Sequence, residues 1–310
     1  MKRQPYFPFR SERAKAEYEA FCLDRAKAWP LPSETRMIET ASGQTFVRAS
    51  GRTSDPPLVL LPGARSGSLM WIHNIAALAA HYRTYALDII NDVGLSVNRH
   101  DVSKPEDYVN WLDEVLTALV PGGPVNLMGI SFGGWLAGKY ALQFPGGVRK
   151  VVLLAPGCTV LPTSFAFIVS ILFLSIPISG FGGRVRKTCH WLFRDAIQSG
   201  GAPRAEVEQV IADLEMYDRL FALPRPPWPD VIDDKGWQGL SVPCLFLVGE
   251  NEKIYSAQAA VGRLKRVAPQ VKAEVILGAG HDLTIVQGDL VVRKVLAFLG
   301  EQTSVAAAAA

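Results

Sequence analysis

A single serine stands where an apolar, strand-like run changes into a helix, in the stretch VNLMGISFGGWLAGKY at residues 125–140. Its surroundings, GISFG at residues 129–133, match the G-x-S-x-G pattern of a sharp turn that lifts a serine hydroxyl clear of a sheet. Glycines make room for the strained serine, and the following helix directs its positive end at the hydroxyl. The pattern predicts that Ser131 is a nucleophile. A serine that only caps the helix is the alternative that the pentapeptide leaves open.

A serine hydroxyl is a weak nucleophile and needs a neighbouring base. His281, in VILGAGHDLTI, comes directly after the last strand-like run of the chain. The carboxyl ends of parallel strands meet at one edge of a sheet, so His281 and Ser131 can share that edge. We therefore predict that His281 is the base. No strand directly precedes the other histidines, which are His73, His81, His100 and His190.

A carboxylate must orient the histidine and stabilise its charged form. The run LFLVGENEKIY offers Glu250 and Glu252 after the strand that precedes His281. We prefer Glu252, because it lies beyond the turn glycine and close to Ile254, which would anchor the loop. Glu250 fits a solvated loop residue. The chain order of nucleophile, acid and base is the one found in hydrolases with this serine turn. The earlier strand VVLLAPG ends without a carboxylate, which leaves the other place for the acid empty.

Reaction at a carbonyl also needs hydrogen-bond donors for the oxyanion that forms. The loop in LLPGARSGS follows the first apolar core strand and lies beside the serine turn in the predicted topology. The predicted donors are the backbone amides of Ala64, just after Gly63, and of Phe132. A plain glycine turn after a strand is the alternative.

Apolar strand-like runs alternate with helical patterns on both sides of a long interruption. This alternation predicts an α/β fold with a mostly parallel central sheet and helices on both faces. The interruption has proline-rich joints between helical patterns and predicts an inserted helical cap. The predicted organisation is an N-terminal helical arm at 1–30, a core at 31–157 and 241–302, a cap at 158–240, and an alanine-rich tail at 303–310 outside the fold.

Three local patterns give further expectations. Apolar residues at helical spacing predict an amphipathic helix over residues 11–29, packed on the core. Two strand-like runs joined through Ser42-Gly43 predict a hairpin. The run SLMWIHNIAALAAHY, residues 68–82, predicts a single crossover helix between the first two parallel strands.

The composition is that of a globular protein, since 49% of the 310 residues are hydrophobic and 20% are charged. A net charge of +3 without a long basic block predicts no nucleic-acid partner. The basic start of the chain has no apolar signal region, and together with reduced cysteines this favours the cytoplasm. The cysteines show no metal-like spacing with the histidines, so we expect free thiols and no metal. They are Cys22, Cys158, Cys189 and Cys244.

The run LPTSFAFIVSILFLSIPIS, residues 161–179, approaches the length of a membrane span. Pro162 and Pro177 shorten its uninterrupted apolar part. We therefore interpret the run as a buried or lid helix and expect no stable membrane insertion. The sequence does not reveal an oligomeric state.

Apolar and aromatic side chains are frequent in the predicted cap. They predict an acyl or aromatic pocket above Ser131, although most of them would equally well pack cap helices on one another. The pocket favours esters with short to medium or aryl acyl groups. The candidate residues are Phe165, Phe167, Ile168, Phe173, Trp191, Phe193, Phe221 and Trp228.

Between Thr35 and Leu299 the chain resembles the α/β-hydrolase superfamily, and more narrowly the bacterial carboxylesterase NP (naproxen esterase) group. The matching stretches are GQTFVRASG, PPLVLLPGA, YRTYALDIIND, YVNWLDEV, GISFGGW, LVGENEKIY and AEVILGAGH. The resemblance implies a cofactor-free serine esterase with a glutamate as its acid. The chain departs from the superfamily at Pro62-Gly63, where His-Gly commonly precedes the oxyanion donor.

The predicted function is hydrolysis of a small-molecule carboxylic ester through an acyl-enzyme on Ser131. Lactonases, amidases, carbon–carbon bond hydrolases and perhydrolases keep the same triad and stay open as alternatives. A hydrolytic dehalogenase is excluded, because its nucleophile would be an aspartate. A non-catalytic ligand-binding protein is a further alternative, although a receptor has no need for an ordered Ser–Glu–His set.

Overall fold

A nine-stranded sheet runs through the described part of the protein, which comprises residues 6–100, 102–174, 181–222 and 227–301 of this computed structural model. Its strands lie in the order β1-β2-β4-β3-β6-β7-β8-β9, and β5 pairs with β2. The six strands from β4 to β9 along this path are parallel. The mostly parallel sheet that the sequence predicts is therefore confirmed. The strands are β1 (Ser33–Thr40), β2 (Gly43–Ser50), β3 (Pro57–Leu61), β4 (Arg83–Leu87), β5 (Val97–Asn98), β6 (Val125–Ile130), β7 (Val148–Leu154), β8 (Cys244–Gly249) and β9 (Lys272–Ile276).

Helices cover both faces of this sheet. Along β3, Val59 and Leu61 belong to a hydrophobic cluster with α3, α4 and α10, whereas Leu58 and Leu60 belong to a second cluster with α2 and α12. Since alternate residues of a strand point to opposite faces, a strand buried on both sides is apolar throughout. The helices are α1 (Glu12–Ala26), α2 (Ile75–Ala79), α3 (Pro105–Leu119), α4 (Phe132–Gln143), α5 (Phe165–Leu174), α6 (Phe181–Leu192), α7 (Arg194–Ser199), α8 (Gly201–Leu220), α9 (Asp234–Gly239), α10 (Ala257–Val267), α11 (Leu283–Val286) and α12 (Gly288–Gly300).

The predicted helix and hairpin at the beginning of the chain are both present. The Ser11 hydroxyl caps α1 by accepting a hydrogen bond from the amide of Ala14. The buried face of α1 packs on α8, where the ring of Tyr18 meets those of Tyr217 and Phe221. Strands β1 and β2 form the antiparallel hairpin. The N-terminal helix thus lies against a later helix of the chain.

The single crossover helix predicted over residues 68–82 is wrong in extent. The structure has a 3-10 turn at Ser68–Trp71 and then the short helix α2. Tertiary hydrogen bonds hold both ends of the irregular part: the Ser68 amide donates to Asp88 at 2.6 Å, and the Asn74 side chain donates to the carbonyl of Thr284 at 3.4 Å. Apolar periodicity carries no information about such distant partners, so it overestimates the helix.

Helices α5 to α9 lie between β7 and β8, where the alternation of strands and helices breaks. Of the two interpretations of residues 161–179, a buried helix is wrong, because Phe165 of α5 is 80% exposed and Leu172 is 61% exposed, and a lid helix stays a prediction. Residues 175–179 of that run lie outside the described residues, as does the predicted tail at 303–310. None of the helices within the described ranges is long and apolar enough to cross a membrane.

Candidate active site

Ser131 lies in a strained turn between β6 and α4. Its backbone adopts φ 53° and ψ −117°, and its side chain makes no capping hydrogen bond to α4. Ser131 therefore occupies the N-cap position of α4 without using its hydroxyl to cap the helix. A Cβ on Gly129 would lie 2.1 Å from the carbonyl oxygen of Gly133, and one on Gly133 would lie 2.4 Å from the carbonyl oxygen of Leu61. The pentapeptide needs its glycines because backbone occupies the space of a side chain.

The carboxylate of Glu252 holds the ring of His281. Glu252 Oε2 lies 2.8 Å from His281 Nδ1, and both side chains are buried. The other oxygen of Glu252 accepts hydrogen bonds from the amides of Lys253 and Ile254, at 2.8 and 2.9 Å. A carboxylate can only accept hydrogen bonds, so Nδ1 carries the proton and the lone pair of the neutral ring is left on Nε2.

Burial alone would disfavour charge on either member of this pair, but their mutual attraction outweighs it. The pKa of Glu252 stays below its ordinary value because of His281 and the two backbone amides. The pKa of His281 is raised above its ordinary value because of the Glu252 carboxylate. The pair can therefore hold a proton on the imidazole during a reaction.

A second carboxylate, that of Asp282, fixes the loop that carries His281. Asp282 accepts hydrogen bonds from the amides of Gly280, at 2.9 Å, and of Ala196 in α7, at 2.8 Å. The ring of Phe193, just before α7, stacks on His281 with 6.3 Å between ring centroids. The α7 region, which the sequence assigned to the cap, thus holds the histidine loop from above.

Ser131 and His281 line one cavity of about 370 Å³. Between these two side chains no hydrogen bond is formed in the described structure, and such bonds commonly close only when substrate is bound. Of the predicted cap residues, Phe167 and Phe193 line the cavity, whereas Phe165 is exposed and Phe221 packs with the N-terminal helix. The apolar lining also includes Tyr18, Phe21, Leu69, Met70, Ile171, Leu192 and Leu214.

The loop after β3 approaches Ser131 as the sequence predicts. A Cβ on Gly63 would lie 3.5 Å from that of Ser131, and Ala64 lines the cavity. The amide of Ala64 donates no hydrogen bond to any residue that the structure describes. Phe132 is the first residue of α4, where an amide has no partner within the helix. Both predicted donors are thus placed near Ser131 with amides that α4 and the loop do not use.

The sequence analysis missed two buried carboxylates that hold this loop. Asp92 accepts a hydrogen bond from the amide of Arg65 at 2.9 Å, and Asp88 accepts one from the amide of Ser68 at 2.6 Å. Their signal in the sequence is the pair of aspartates in LDIIND, directly after an apolar strand and at the edge where Ser131 lies.

The remaining candidates lie apart from the Glu252–His281 pair. Glu250 is exposed and accepts a hydrogen bond from the amide of Gly278 at 3.1 Å. His73 lines the cavity beside Glu206, at 3.5 Å, and its side chain is 61% exposed. His190 lies 3.0 Å from Glu208. All four cysteines are free and buried, and within the described ranges no cluster of three or more His, Cys, Asp or Glu could hold a metal ion.

Known proteins are similar to this chain in both sequence and fold. Two relatives come from Bacillus subtilis (strain 168). The uncharacterized carboxylesterase nap is 34% identical over 89% of this chain and 90% of that relative. Carboxylesterase YbfK is 30% identical over 87% of this chain and 89% of that relative. The crystal structure of naproxen esterase (carboxylesterase NP) from Bacillus subtilis covers 94% of this chain and 99% of its own, with a TM-score of 0.82 and 32% identity. The family model for the alpha/beta hydrolase family matches residues 58–294. The chain therefore belongs to the alpha/beta hydrolase family.

Proposed function

We propose that the protein is a serine carboxylesterase with Ser131 as nucleophile, His281 as base and Glu252 as acid. The observation that carries the proposal is the buried 2.8 Å contact between Glu252 and His281 at the edge of the cavity that Ser131 lines. The carboxylesterases nap and YbfK, both at least 30% identical, support ester hydrolysis as the reaction.

In the proposed acylation, His281 Nε2 takes the proton of the Ser131 hydroxyl while Oγ attacks the ester carbonyl. The carbonyl π pair moves to oxygen, and the resulting oxyanion accepts hydrogen bonds from the amides of Ala64 and Phe132. When the tetrahedral intermediate collapses, the ester C–O bond breaks and the alcohol leaves with the proton from His281. Ser131 then carries the acyl group.

Deacylation repeats these steps with water. His281 takes a proton from the water as its oxygen attacks the acyl carbonyl, and the same amides stabilise the second oxyanion. The Ser131 Oγ–carbon bond breaks, and the proton returns from His281 to Ser131. The carboxylic acid leaves and the site is restored. No step requires a cofactor.

The cavity supports a small substrate with an apolar or aryl acyl group. Its volume is about 370 Å³, at the small end of ligand sites, and aromatic side chains such as Phe167 and Phe193 line it. Residues 158–240 are the proposed cap, and α5, α6 and α8 from this range contribute to the cavity wall. A cytoplasmic location stays a prediction, supported by four cysteines that are all free.

The test is hydrolysis of p-nitrophenyl esters, from acetate to long acyl chains, by the wild type and by Ser131→Ala. We expect an optimum at a short or medium chain, and a loss of about 10⁵-fold or more in kcat in the variant. Ser170→Ala is the control, because this hydroxyl bonds the carbonyl of Phe167 outside the site. Activity that survives in Ser131→Ala contradicts the proposal.

Alternatives with the same triad are separated by their products. An amide, lactone or carbon–carbon substrate that turns over faster than every ester would move the assignment to that chemistry. Labelling by an aryl organophosphonate separates the enzyme from a ligand-binding protein, because a receptor has no activated serine. We expect one phosphonate per chain, attached at Ser131.

A further inference from the structure

We propose that Asp92 is a positioning residue for catalysis: it holds the loop of residues 62–68 so that the Ala64 amide faces the oxyanion formed at Ser131. This inference rests on the proposed esterase function. It goes beyond the triad, because Asp92 touches no reacting atom and acts through the backbone of Arg65.

The first support is the geometry of the loop. Asp92 Oδ2 accepts the amide of Arg65, the residue directly after Ala64, at 2.9 Å. Arg65 has φ 57°, a left-handed conformation that a residue other than glycine keeps only when its surroundings enforce it. The hydrogen bond to Asp92 is the enforcing contact. The Arg65 N–H and the Ala64 carbonyl belong to one peptide plane. Rotation of this plane would therefore also displace Ala64, whose amide is the proposed oxyanion donor.

The second support is that two amides of the loop at 62–68 donate to carboxylates of the same connection, the one between β4 and β5. Asp88 Oδ1 accepts the amide of Ser68, and its Oδ2 accepts the amide of Leu95 at 2.8 Å. The other oxygen of Asp92 accepts the amide of Val93 at 2.7 Å. Asp88 and Asp92 are 3% and 8% exposed. Each buried carboxylate therefore joins one amide of the loop at 62–68 to one amide of its own connection, which fixes the loop relative to that connection.

The third support is the free-energy cost of burying the charged carboxylate of Asp92 beside the loop. Burial raises the pKa of Asp92 to about 6, although the amides of Arg65 and Val93 and the charge of Arg65 lower it. Asp88 raises it further, and Tyr108 is the other titratable group that faces it. A folded-state pKa above the unfolded value means that this group favours folding below pH 3.8 and loses that contribution as the pH rises through 6. At pH 8 the ionised Asp92 therefore weakens folding.

The first test is Asp92→Asn, with Asp107→Asn as the matched control. An asparagine can accept the amide of Arg65 or that of Val93, but not both. Asp107 also accepts two amides, from Ser103 and Lys104, but at the start of α3 and away from the cavity. We expect kcat of Asp92→Asn to fall by about 10- to 100-fold. KM should change by less than about twofold, because the oxyanions of acylation and of deacylation use the same amides and both steps slow alike. Asp107→Asn should keep its kcat.

The Tm at pH 8 separates positioning from structural damage. We expect the Tm of Asp92→Asn to stay close to that of the wild type, because removal of a buried charge offsets the loss of one amide hydrogen bond. A fall in activity that merely follows a fall in Tm, with KM and kcat affected together, would overturn the proposal.

The pH dependence of kcat/KM in the wild type and in Asp92→Asn supplies a second test. Below pH 6, protonation of Asp92 and of His281 both lower kcat/KM, so activity should fall faster than about tenfold per pH unit. Asp92→Asn should follow the tenfold limit of a single group. Equal slopes for the two proteins contradict the role of Asp92.

Hydrogen exchange of the loop makes the two proposals distinguishable. The Arg65 amide should be protected in the wild type at pH 8 and lose protection in Asp92→Asn, whether or not the chosen ester is a substrate. If the wild type hydrolyses no ester but the Arg65 amide still loses protection in Asp92→Asn, the esterase function is refuted. The contact between Asp92 and the loop is then still supported. Reduced kcat with unchanged protection refutes the positioning role.

Discussion

Glu252 and His281 form a buried pair in which Oε2 of the carboxylate lies 2.8 Å from Nδ1 of the ring. The second carboxylate oxygen is held by the amides of Lys253 and Ile254. Because both oxygens are occupied, the carboxylate is fixed in one orientation and the ring in one tautomer. This arrangement leads to the first two predictions.

Glu252→Gln should lower kcat for p-nitrophenyl ester hydrolysis by about 10³- to 10⁴-fold. If the amide oxygen of the glutamine keeps the two backbone amides, its NH₂ group faces Nδ1 and favours the tautomer with the proton on Nε2. The base is then lost without loss of the fold. Glu250→Gln is the control, because its carboxylate is exposed and accepts a hydrogen bond from the Gly278 amide. Equal losses in the two variants would contradict the assignment.

The acid limb of kcat/KM should have its midpoint above pH 6.5. The Glu252 carboxylate raises the pKa of His281 above the ordinary 6.5, so the ring becomes protonated and inactive as a base at a higher pH than usual. In Glu252→Gln the residual activity should titrate at a lower pH, since burial then acts without the opposing charge. A pH profile that is flat from pH 5 to pH 8 would refute the role of His281.

Gly133→Ala should lower both stability and kcat. A Cβ there would lie 2.4 Å from the carbonyl oxygens of Leu61 and Pro62, which belong to the backbone that leads into the Ala64 loop. Overpacking of this kind costs about 1–3 kcal/mol or more in the free energy of unfolding. Urea denaturation measures the loss. Gly262→Ala, in an open and exposed position of α10, should instead stabilise by about 0.5–1 kcal/mol. A neutral Gly133→Ala would show that the turn relaxes easily.

Phe167→Ala should shift the acyl-chain preference toward longer esters. Phe167 lines the cavity, whereas Phe165 on the same helix α5 is 80% exposed and serves as the matched control. The ratio of kcat/KM for octanoate to that for butyrate should rise by about 10-fold in Phe167→Ala, since each methylene in an apolar pocket counts strongly. The ratio should not change in Phe165→Ala. An unchanged ratio in both would mean that this wall does not meet the acyl chain.

Much of the architecture could be predicted from local sequence. Apolar runs of strand length, alternating with helical patterns, predict a parallel sheet because only buried strands are apolar on both faces, and the alternating clusters along β3 show that burial. GISFG predicts the elbow because a side chain at Gly129 or Gly133 would collide with backbone. Ser131, Glu252 and His281 could be selected because each follows a strand at the same sheet edge.

The errors and omissions all concern contacts between distant parts of the chain. The helix expected over residues 68–82 breaks where Ser68 bonds Asp88, 20 residues away. The apolar run of α5 left a buried helix and a lid helix open, and the exposure of Phe165 excludes the buried one. The contact of Asp92 was missed because the neighbouring residues in the sequence do not distinguish a solvent-exposed loop aspartate from one that accepts the amide of Arg65.

The sequence by itself determined the order of strands and helices, the serine turn and the set of candidate side chains, because these depend on residue types at short spacing. The tertiary structure alone decided which cap side chains reach the cavity, and that α1 contributes Tyr18 and Phe21 to its wall. Those outcomes depend on the relative placement of segments many residues apart. That placement follows from packing of the whole chain, which no short pattern contains.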